Sequence, residues 1–143
     1  MLLDVNVLVY AQRADAEHHA TYREWLSDAL VGPEPVLVTA DTLVATLRIL
    51  THPRIWRPPT TLDAAQAFVA SLVAAPACEV LETGAGHWPT FARCCASIDA
   101  RGNDLPDAWL AAIAIDHGVD IVTADRGFRR FRGLRIRHPL AAT

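Results

Sequence analysis

The sequence predicts an α/β fold in which a mostly parallel sheet is covered by helices on both faces. Short, apolar, strand-like segments alternate with helical segments along the chain, which is the pattern of parallel sheets. Two acids, Asp4 and Asp125, lie at the carboxyl ends of two of these strands. Because ligands in such folds bind beyond the carboxyl ends of the strands, the pattern also predicts where a functional site lies.

The first half of the chain opens with a buried strand formed by Leu2, Leu3 and Val5. Asn6 is predicted to cap the helical turn that follows, and this turn runs through Tyr10. The other elements predicted in this half are a helix over 16–31, a strand over 35–39, a helix that Asp41 or Thr42 caps and that ends before Pro53, and a helix from Thr61 to about residue 75.

The second half is predicted to begin with a strand over 79–81 and a helix over 87–100. Another helix starts at Asp104 and stops at Gly118, a residue suited to a left-handed C-cap. A buried strand over 120–123 and an edge strand over 134–136 complete the predicted sheet.

Composition indicates one compact domain over residues 1–143, because the chain has 143 residues, is 52% hydrophobic and carries a net charge of -3. The apolar opening run is interrupted by Asp4 and Asn6 and is too short to span a bilayer, so we expect a cytoplasmic protein. Three cysteines, an odd number with two of them adjacent, are expected to be reduced.

All 13 basic residues are arginine, so any mechanism that needs a lysine is excluded. Receiver domains and haloacid-dehalogenase-type phosphatases also gather acids at strand ends, but both depend on a lysine near the phosphoryl group. The segment GAGHWP lacks the G-x-G-x-x-G spacing and follows the wrong strand, which excludes a dinucleotide-binding site.

The stretch RGNDLPDAWLAAIAIDHG places several polar residues at the start of one apolar helix. Asp104 is predicted to be its N-cap, and Asn103 to shape the entry to the helix. Asp107 lies on the same face as Leu110 and Ala111, the face that should press against the sheet, so its carboxylate is expected to point toward the protein. A carboxylate in such a position needs a compensating partner.

Taken separately, each acid has an ordinary explanation, and Asp125 in particular suits the start of the turn ADRG. Taken together, Asp4, Asp107 and Asp125 at one end of the sheet would repel one another unless a cation lay between them. Carboxylate oxygens suit Mg²⁺ or Mn²⁺, and the residues therefore predict a metal site.

Four segments carry a resemblance to a known family. LLDVNVLVY, LRILTHPR, RGNDLPDAWLAAIA and IVTADRGFRRF resemble, in this order and over nearly the whole chain, the PIN-domain ribonucleases of VapC type. The resemblance implies a three-layer α/β/α PIN-like fold with an acidic pocket that binds Mg²⁺ or Mn²⁺ and hydrolyses RNA. It also implies a VapB-type antitoxin that occludes the pocket, and a homodimer.

By this resemblance Asp4, Asp107 and Asp125 correspond to the first, third and fourth acids of the family pocket. Asp4 and Asp107 are then the principal metal ligands, and Asp125 is an outer acid or a ligand of a second metal. Asn6 matches the polar residue that accompanies the first acid and positions a water or substrate oxygen, while Asn103 matches a frequent polar neighbour.

The chain departs from the family at the second acid, a glutamate, whose position is Ala45 here. Either this is a natural member that lacks the acid, or Ala45 replaces a glutamate so that a toxic nuclease can be produced; the intact motif around it favours replacement. In both cases we expect weakened activity. The alternative function is a catalytically inactive PIN fold that only binds its antitoxin or RNA.

RNA must approach an acidic pocket, so positive charge is expected beside it. Arg126 and Arg129 follow Asp125 directly and are predicted, with Asn103 and Asp104, to contact substrate. Four more arginines near the C-terminus extend this cluster, although any of them is equally well explained as an ordinary solvated side chain. They are Arg130, Arg132, Arg135 and Arg137.

Overall fold

The structure is a computed structural model that describes residues 1–141. Its centre is a five-stranded sheet in which every pairing is parallel, in the order β3-β2-β1-β4-β5. The predicted α/β class is therefore confirmed. The strands are β1 (Leu2–Leu3), β2 (Val36–Thr39), β3 (Cys78–Leu81), β4 (Ile121–Val122) and β5 (Ile136–Arg137).

Helices cover both faces of this sheet, as its alternating pattern predicts. They are α1 (Val5–Gln12), α2 (His19–Val31), α3 (Ala40–Leu50), α4 (Leu62–Val73), α5 (Trp88–Ile98) and α6 (Asp104–His117). Two short 3₁₀ helices precede α5 and follow β4, over Ala85–His87 and Arg126–Arg130. Within residues 1–141, no helix is long and apolar enough to cross a membrane.

Neighbouring residues of the short strands point to opposite faces of the sheet, and they therefore belong to two separate hydrophobic clusters. On β1, Leu2 packs with α5 and α6, whereas Leu3 packs with α1, α2 and α4. A third cluster of Val9, Leu50 and Ala65 joins α1, α3 and α4. The three inner strands β1, β2 and β4 are thus buried between helical layers, whereas the edge strands β3 and β5 are partly exposed, and the fold has three layers.

The chain changes direction around β1, the central strand. It builds β2 and β3 on one side of β1, then returns through α5 and α6 across the other face and forms β4 on the opposite side of β1. The carboxyl ends of β1 and β4 therefore flank the point at which strand order reverses, where open α/β sheets bind ligands.

Helix starts differ from the predicted ones at two places. Strand β1 ends before Val5, and Asp4 rather than Asn6 caps α1, because the Asp4 carboxylate accepts a hydrogen bond from the Val5 N–H. At α3 the cap is Thr39, whose hydroxyl accepts from the Thr42 N–H at 3.1 Å. Asp4 directly follows β1 and Thr39 is the last residue of β2, so in both cases the cap lies at the carboxyl end of the strand and the helix starts earlier than predicted.

The predicted cap of α6 is also wrong. Asp104 is the first residue of the helix, and Asn103 at the cap position makes no side-chain capping bond. The N–H groups of Asp104 and Leu105 instead donate to the carbonyls of Arg101 and Gly102. Because this preceding turn already satisfies the helix start, the Asp104 carboxylate is available for other partners.

The remaining elements agree with the prediction within a few residues. The second helix begins at His19 rather than residue 16, and the edge strand is Ile136–Arg137 rather than 134–136. The cysteines Cys78, Cys94 and Cys95 are free, as expected. The predicted stop at Gly118 is confirmed, since this residue adopts a left-handed conformation with φ 62°.

We predict that Gly118→Ala destabilises the protein by about 1 kcal/mol, because a side chain disfavours the left-handed conformation by about that amount. A Cβ at this position would meet no other atom, so the cost is one of backbone conformation alone. Urea unfolding measures it. Gly86→Ala is the matched control, since it too adds a Cβ in open space but at a residue without positive φ. Equal stabilities of the two variants would contradict the prediction.

Candidate active site

Asp4 is a buried carboxylate at the carboxyl end of the central strand. Only 5% of the residue is exposed, and its oxygens accept hydrogen bonds from the Val5 N–H at 2.6 Å and the Thr123 hydroxyl at 2.6 Å, and from the Asn6 side-chain amide. Burial raises the pKa of Asp4, and the charge of Asp125 adds to this, whereas the hydrogen bonds from Thr123 and Val5 lower it.

Thr123 is the residue that sequence reasoning missed. It is buried beyond the end of β4, and its hydroxyl donates to Asp4 while accepting from the Asn6 amide at 3.0 Å and from the Asp125 N–H at 2.9 Å. A threonine in a strand-like run carries no sequence signal of its own. The only available clue was its position two residues before Asp125, at an end of a strand.

Asn6 lies in the first turn of α1, and both ends of its side-chain amide bind within this network. Its nitrogen donates to Asp4 and Thr123, and its oxygen accepts from the Ala124 N–H at 3.1 Å. The residue therefore fixes the Asp4 carboxylate against the β4 end of the sheet.

Asp107 is half-buried in the first half of α6, with its carboxylate near the other two acids. Burial, together with the negative charges of Asp4 and Asp125, raises the pKa of Asp107 to about 6. Asp125 is exposed just after β4, and its carboxylate accepts from the Gly127 N–H at 2.6 Å, so it also has its expected turn role. The structure thus brings all three predicted acids into one electrostatically coupled group.

A cleft of about 640 Å³ opens between α3 and α6 and reaches these acids. Asp4 and Asp107 lie in its wall, and so does Ala45, at the position where the resemblance expects a glutamate. Among the described residues, no three Asp, Glu, His or Cys side chains are close enough together to form a metal site. The carboxylates are nevertheless hard oxygen donors with excess negative charge, which suits a divalent cation.

The remaining predicted contacts surround the start of α6 and the turn after Asp125. The Asp104 carboxylate accepts from the Arg101 N–H and pairs with the Arg130 guanidinium at 2.8 Å, and the guanidinium hydrogen bond lowers the pKa of Asp104. Asn103, Arg126 and Arg129 are exposed. Within residues 1–141, neither Arg126 nor Arg129 forms an ion pair, so both guanidinium groups are open to an anion.

Two arginines of the predicted cluster lie elsewhere. Arg135 and Arg137 pair with Asp120 at 2.6 and 2.9 Å, and Arg137 also pairs with Glu34 at 2.8 Å. Asp120 and Glu34 precede β4 and β2, so these pairs lie at the amino ends of the strands, opposite the acids. These two arginines are therefore structural, and the expectation that they flank the pocket is wrong.

Comparison with known proteins agrees with this geometry. The PIN domain family matches residues 1–134. Ribonuclease VapC43 of Mycobacterium tuberculosis is 44% identical over 140 residues, which cover 98% of this chain and 95% of the relative.

Two solved structures share the fold. VapC20 of Mycobacterium tuberculosis, described as a sarcin-ricin loop cleaving toxin, superposes with a TM-score of 0.69 at 19% identity, covering 94% of this chain and 98% of the other. A chain of a toxin-antitoxin complex from Klebsiella pneumoniae superposes with a TM-score of 0.63 at 14% identity, covering 96% of each chain. The match to the family over residues 1–134 and the 44% identity to a VapC ribonuclease show that this chain belongs to the PIN-domain family and, within it, to the VapC group.

Proposed function

We propose that this protein is the toxin of a toxin-antitoxin pair and an endoribonuclease that hydrolyses RNA phosphodiester bonds. The main support for this proposal is that Asp4 and Asp107 line the same cleft and that the negative charge of Asp125 acts on these acids. The 44% identity to a named VapC ribonuclease supports the same activity.

PIN-domain nucleases of the VapC group generally depend on divalent metal ions. Asp4 and Asp107 would be the principal ligands here, with Asp125 as an outer acid or a ligand of a second ion. Mg²⁺ or Mn²⁺ suits these oxygen donors. When bound, such an ion supplies charge neutralisation at the phosphate and a water of lowered pKa.

The protein's own residues hold this site in place. Thr123 and Asn6 fix the rotamer of the Asp4 carboxylate, so that it is ready before any ligand arrives. Asp107 projects from the rigid start of a long helix. Asn103, Arg126 and Arg129 are exposed and lie close in sequence to Asp107 and Asp125. They would contact the RNA backbone, and the two arginines would offset the repulsion between the acids and the phosphates.

The partners follow from the same assignment. A VapB-type antitoxin would occlude the cleft, and the similarity to a chain of a toxin-antitoxin complex supports such a partner. A homodimer and a cytoplasmic location, where RNA and antitoxin meet the toxin, belong to the proposal as well.

Ala45 favours a second candidate function. It lines the cleft beside Asp4 and Asp107, so the chain has an apolar methyl group where a fourth carboxylate would reach a metal. The RNA-cleaving activity of the chain would then be low. If this activity is absent altogether, the protein only binds its antitoxin or RNA.

We predict that Ala45→Glu increases RNA cleavage on the order of 10- to 100-fold, the range associated with loss of groups that support a metal site. The added carboxylate would complete the oxygen donors of the cleft. Cleavage of total RNA in Mg²⁺ or Mn²⁺, followed by sequencing of the cut ends, measures the effect.

Val44→Glu is the matched control, because it adds the same charge at the neighbouring cleft residue, and EDTA should abolish any true activity. Absence of cleavage by both the parent chain and Ala45→Glu, with both folded, would favour the binding-only function.

We also predict that Asp107→Asn stabilises the metal-free protein at pH 7 by about 1–2 kcal/mol, a figure reduced for solvent screening. The folded-state pKa of Asp107, about 6, lies above its unfolded value. The folded state therefore binds the proton more tightly, and its stability falls as the pH rises from about 4 to about 6. Asp107→Asn does not lose stability in this way as the pH rises. The free energies of unfolding of the parent protein and the variant should therefore converge near pH 4.

Thermal unfolding in EDTA across this pH range tests the prediction. Asp63→Asn serves as control, since Asp63 is an exposed acid in the first turn of another helix. Added Mg²⁺ should stabilise the parent protein more than Asp107→Asn, because binding to the folded state raises stability. A variant less stable than its parent at pH 7 in EDTA would contradict the prediction.

A further inference from the structure

The cleft extends well beyond the acids, and most of its wall is apolar. Its volume of about 640 Å³ is that of a small-molecule site rather than of a single ion. Val44 and Leu105 line it while remaining 65% and 41% exposed. Metal binding and phosphate hydrolysis use charged groups, so this apolar region has no part in the chemistry described so far.

Trp109 forms a fixed aromatic part of this wall. Its indole Nε1 donates a hydrogen bond to the Asp41 carboxylate at 3.1 Å, which joins α6 to α3 across the cleft. Phe91 and His87 pack edge to face against the ring, with centroid distances of 5.5 and 6.0 Å. An indole held from three directions loses little conformational freedom when a planar group stacks on it.

Arg48 adds a cation to the same cleft. It lies one helical turn beyond Ala45 on α3, and its side chain is exposed. In the part of the chain that the structure describes, Arg48 makes no ion pair. The cleft therefore combines three features along its length, namely carboxylates at one end, an aromatic wall and a free guanidinium.

We propose that Trp109 is a substrate-binding residue that stacks on an unpaired RNA base next to the cleaved phosphodiester, and that Arg48 binds a neighbouring phosphate. The inference rests on the proposed function, because it takes the acids as the site of cleavage. A phosphate bound through a cation at Asp4 and Asp107 would leave its attached nucleoside in the cleft that these two residues line.

The chemistry of the cleft favours a nucleobase there. Bases in single-stranded RNA stack on aromatic side chains, and a guanidinium beside the stack suits the adjoining phosphate. A paired base could not enter, because its face is covered by its neighbours in the duplex. The proposed substrate segment is therefore single-stranded at the cleavage position.

The test measures binding of short fluorescein-labelled single-stranded RNAs (oligo-A, oligo-C, oligo-G and oligo-U) by fluorescence anisotropy, in EDTA and in Mg²⁺. A second set carries one abasic riboside moved along the strand. The proteins are the parent chain, Trp109→Ala, Trp109→Phe and Trp88→Ala. Trp88 is a suitable control because it is 61% exposed, packs on the same Phe91 and lies outside the cleft lining.

We expect Trp109→Ala to lose about tenfold in affinity, the range of one stacked base, while Trp109→Phe and Trp88→Ala remain close to the parent. An abasic site at one position should weaken the parent protein by a similar factor and leave Trp109→Ala unaffected. A purely structural role of Trp109 would not couple this side chain to one particular base in the strand.

Unchanged affinity of a folded Trp109→Ala would overturn the proposal. A loss that is the same at every abasic position would also overturn it, since the residue would then only support the fold. Trp109→Ala that binds RNA normally but no longer binds the antitoxin would assign the aromatic wall to a protein partner instead. Absence of RNA binding by the parent in both EDTA and Mg²⁺ would count against the proposed function itself.

Discussion

The hydrogen bond between the Thr123 hydroxyl and the Asp4 carboxylate is the interaction on which the site depends. Only 5% of Asp4 is exposed, and a carboxylate without partners at such a buried position would destabilise the fold. The Thr123 hydroxyl, the Val5 N–H and the Asn6 amide supply the compensating hydrogen-bond donors. The same hydroxyl accepts from the Asp125 N–H and so positions a second acid. Together with Asn6, the Thr123 side chain therefore links the carboxyl ends of the paired strands β1 and β4.

The placement of Asp107 lowers the stability of the folded protein, so its explanation is functional rather than structural. Asp107 is partly desolvated, and the negative charges of Asp4 and Asp125 disfavour its ionised form. The stability of the folded protein is lower as a result, and negative charge is concentrated beside the cleft. The ion pair of Asp104 with Arg130, by contrast, lies beside the cluster and moderates its potential.

The sequence predicts the layered parallel sheet and the placement of Asp4 and Asp125, because both depend on local periodicity and on the rule that such strands share a direction. It does not predict the caps of α1 and α6. At α1 the residue directly after the strand takes the cap, and at α6 the carbonyls of Arg101 and Gly102 in the preceding turn already accept from the first N–H groups of the helix. Thr123 and the far-edge ion pairs of Arg137 escape prediction for another reason. They join residues distant in sequence, and no local pattern encodes such contacts.

The Thr123–Asp4 hydrogen bond also concerns how the protein is made. Its two residues are 119 positions apart in sequence, and β1 is a central strand that pairs with β4. During translation β1 gains β4 as its second neighbour only after the intervening helices and strands have been synthesised, and such non-local strand pairing forms late. A growing chain on the ribosome therefore contains Asp4 well before Asp107 and Asp125 have been added, so the three acids come together only after α6 and β4 have been synthesised.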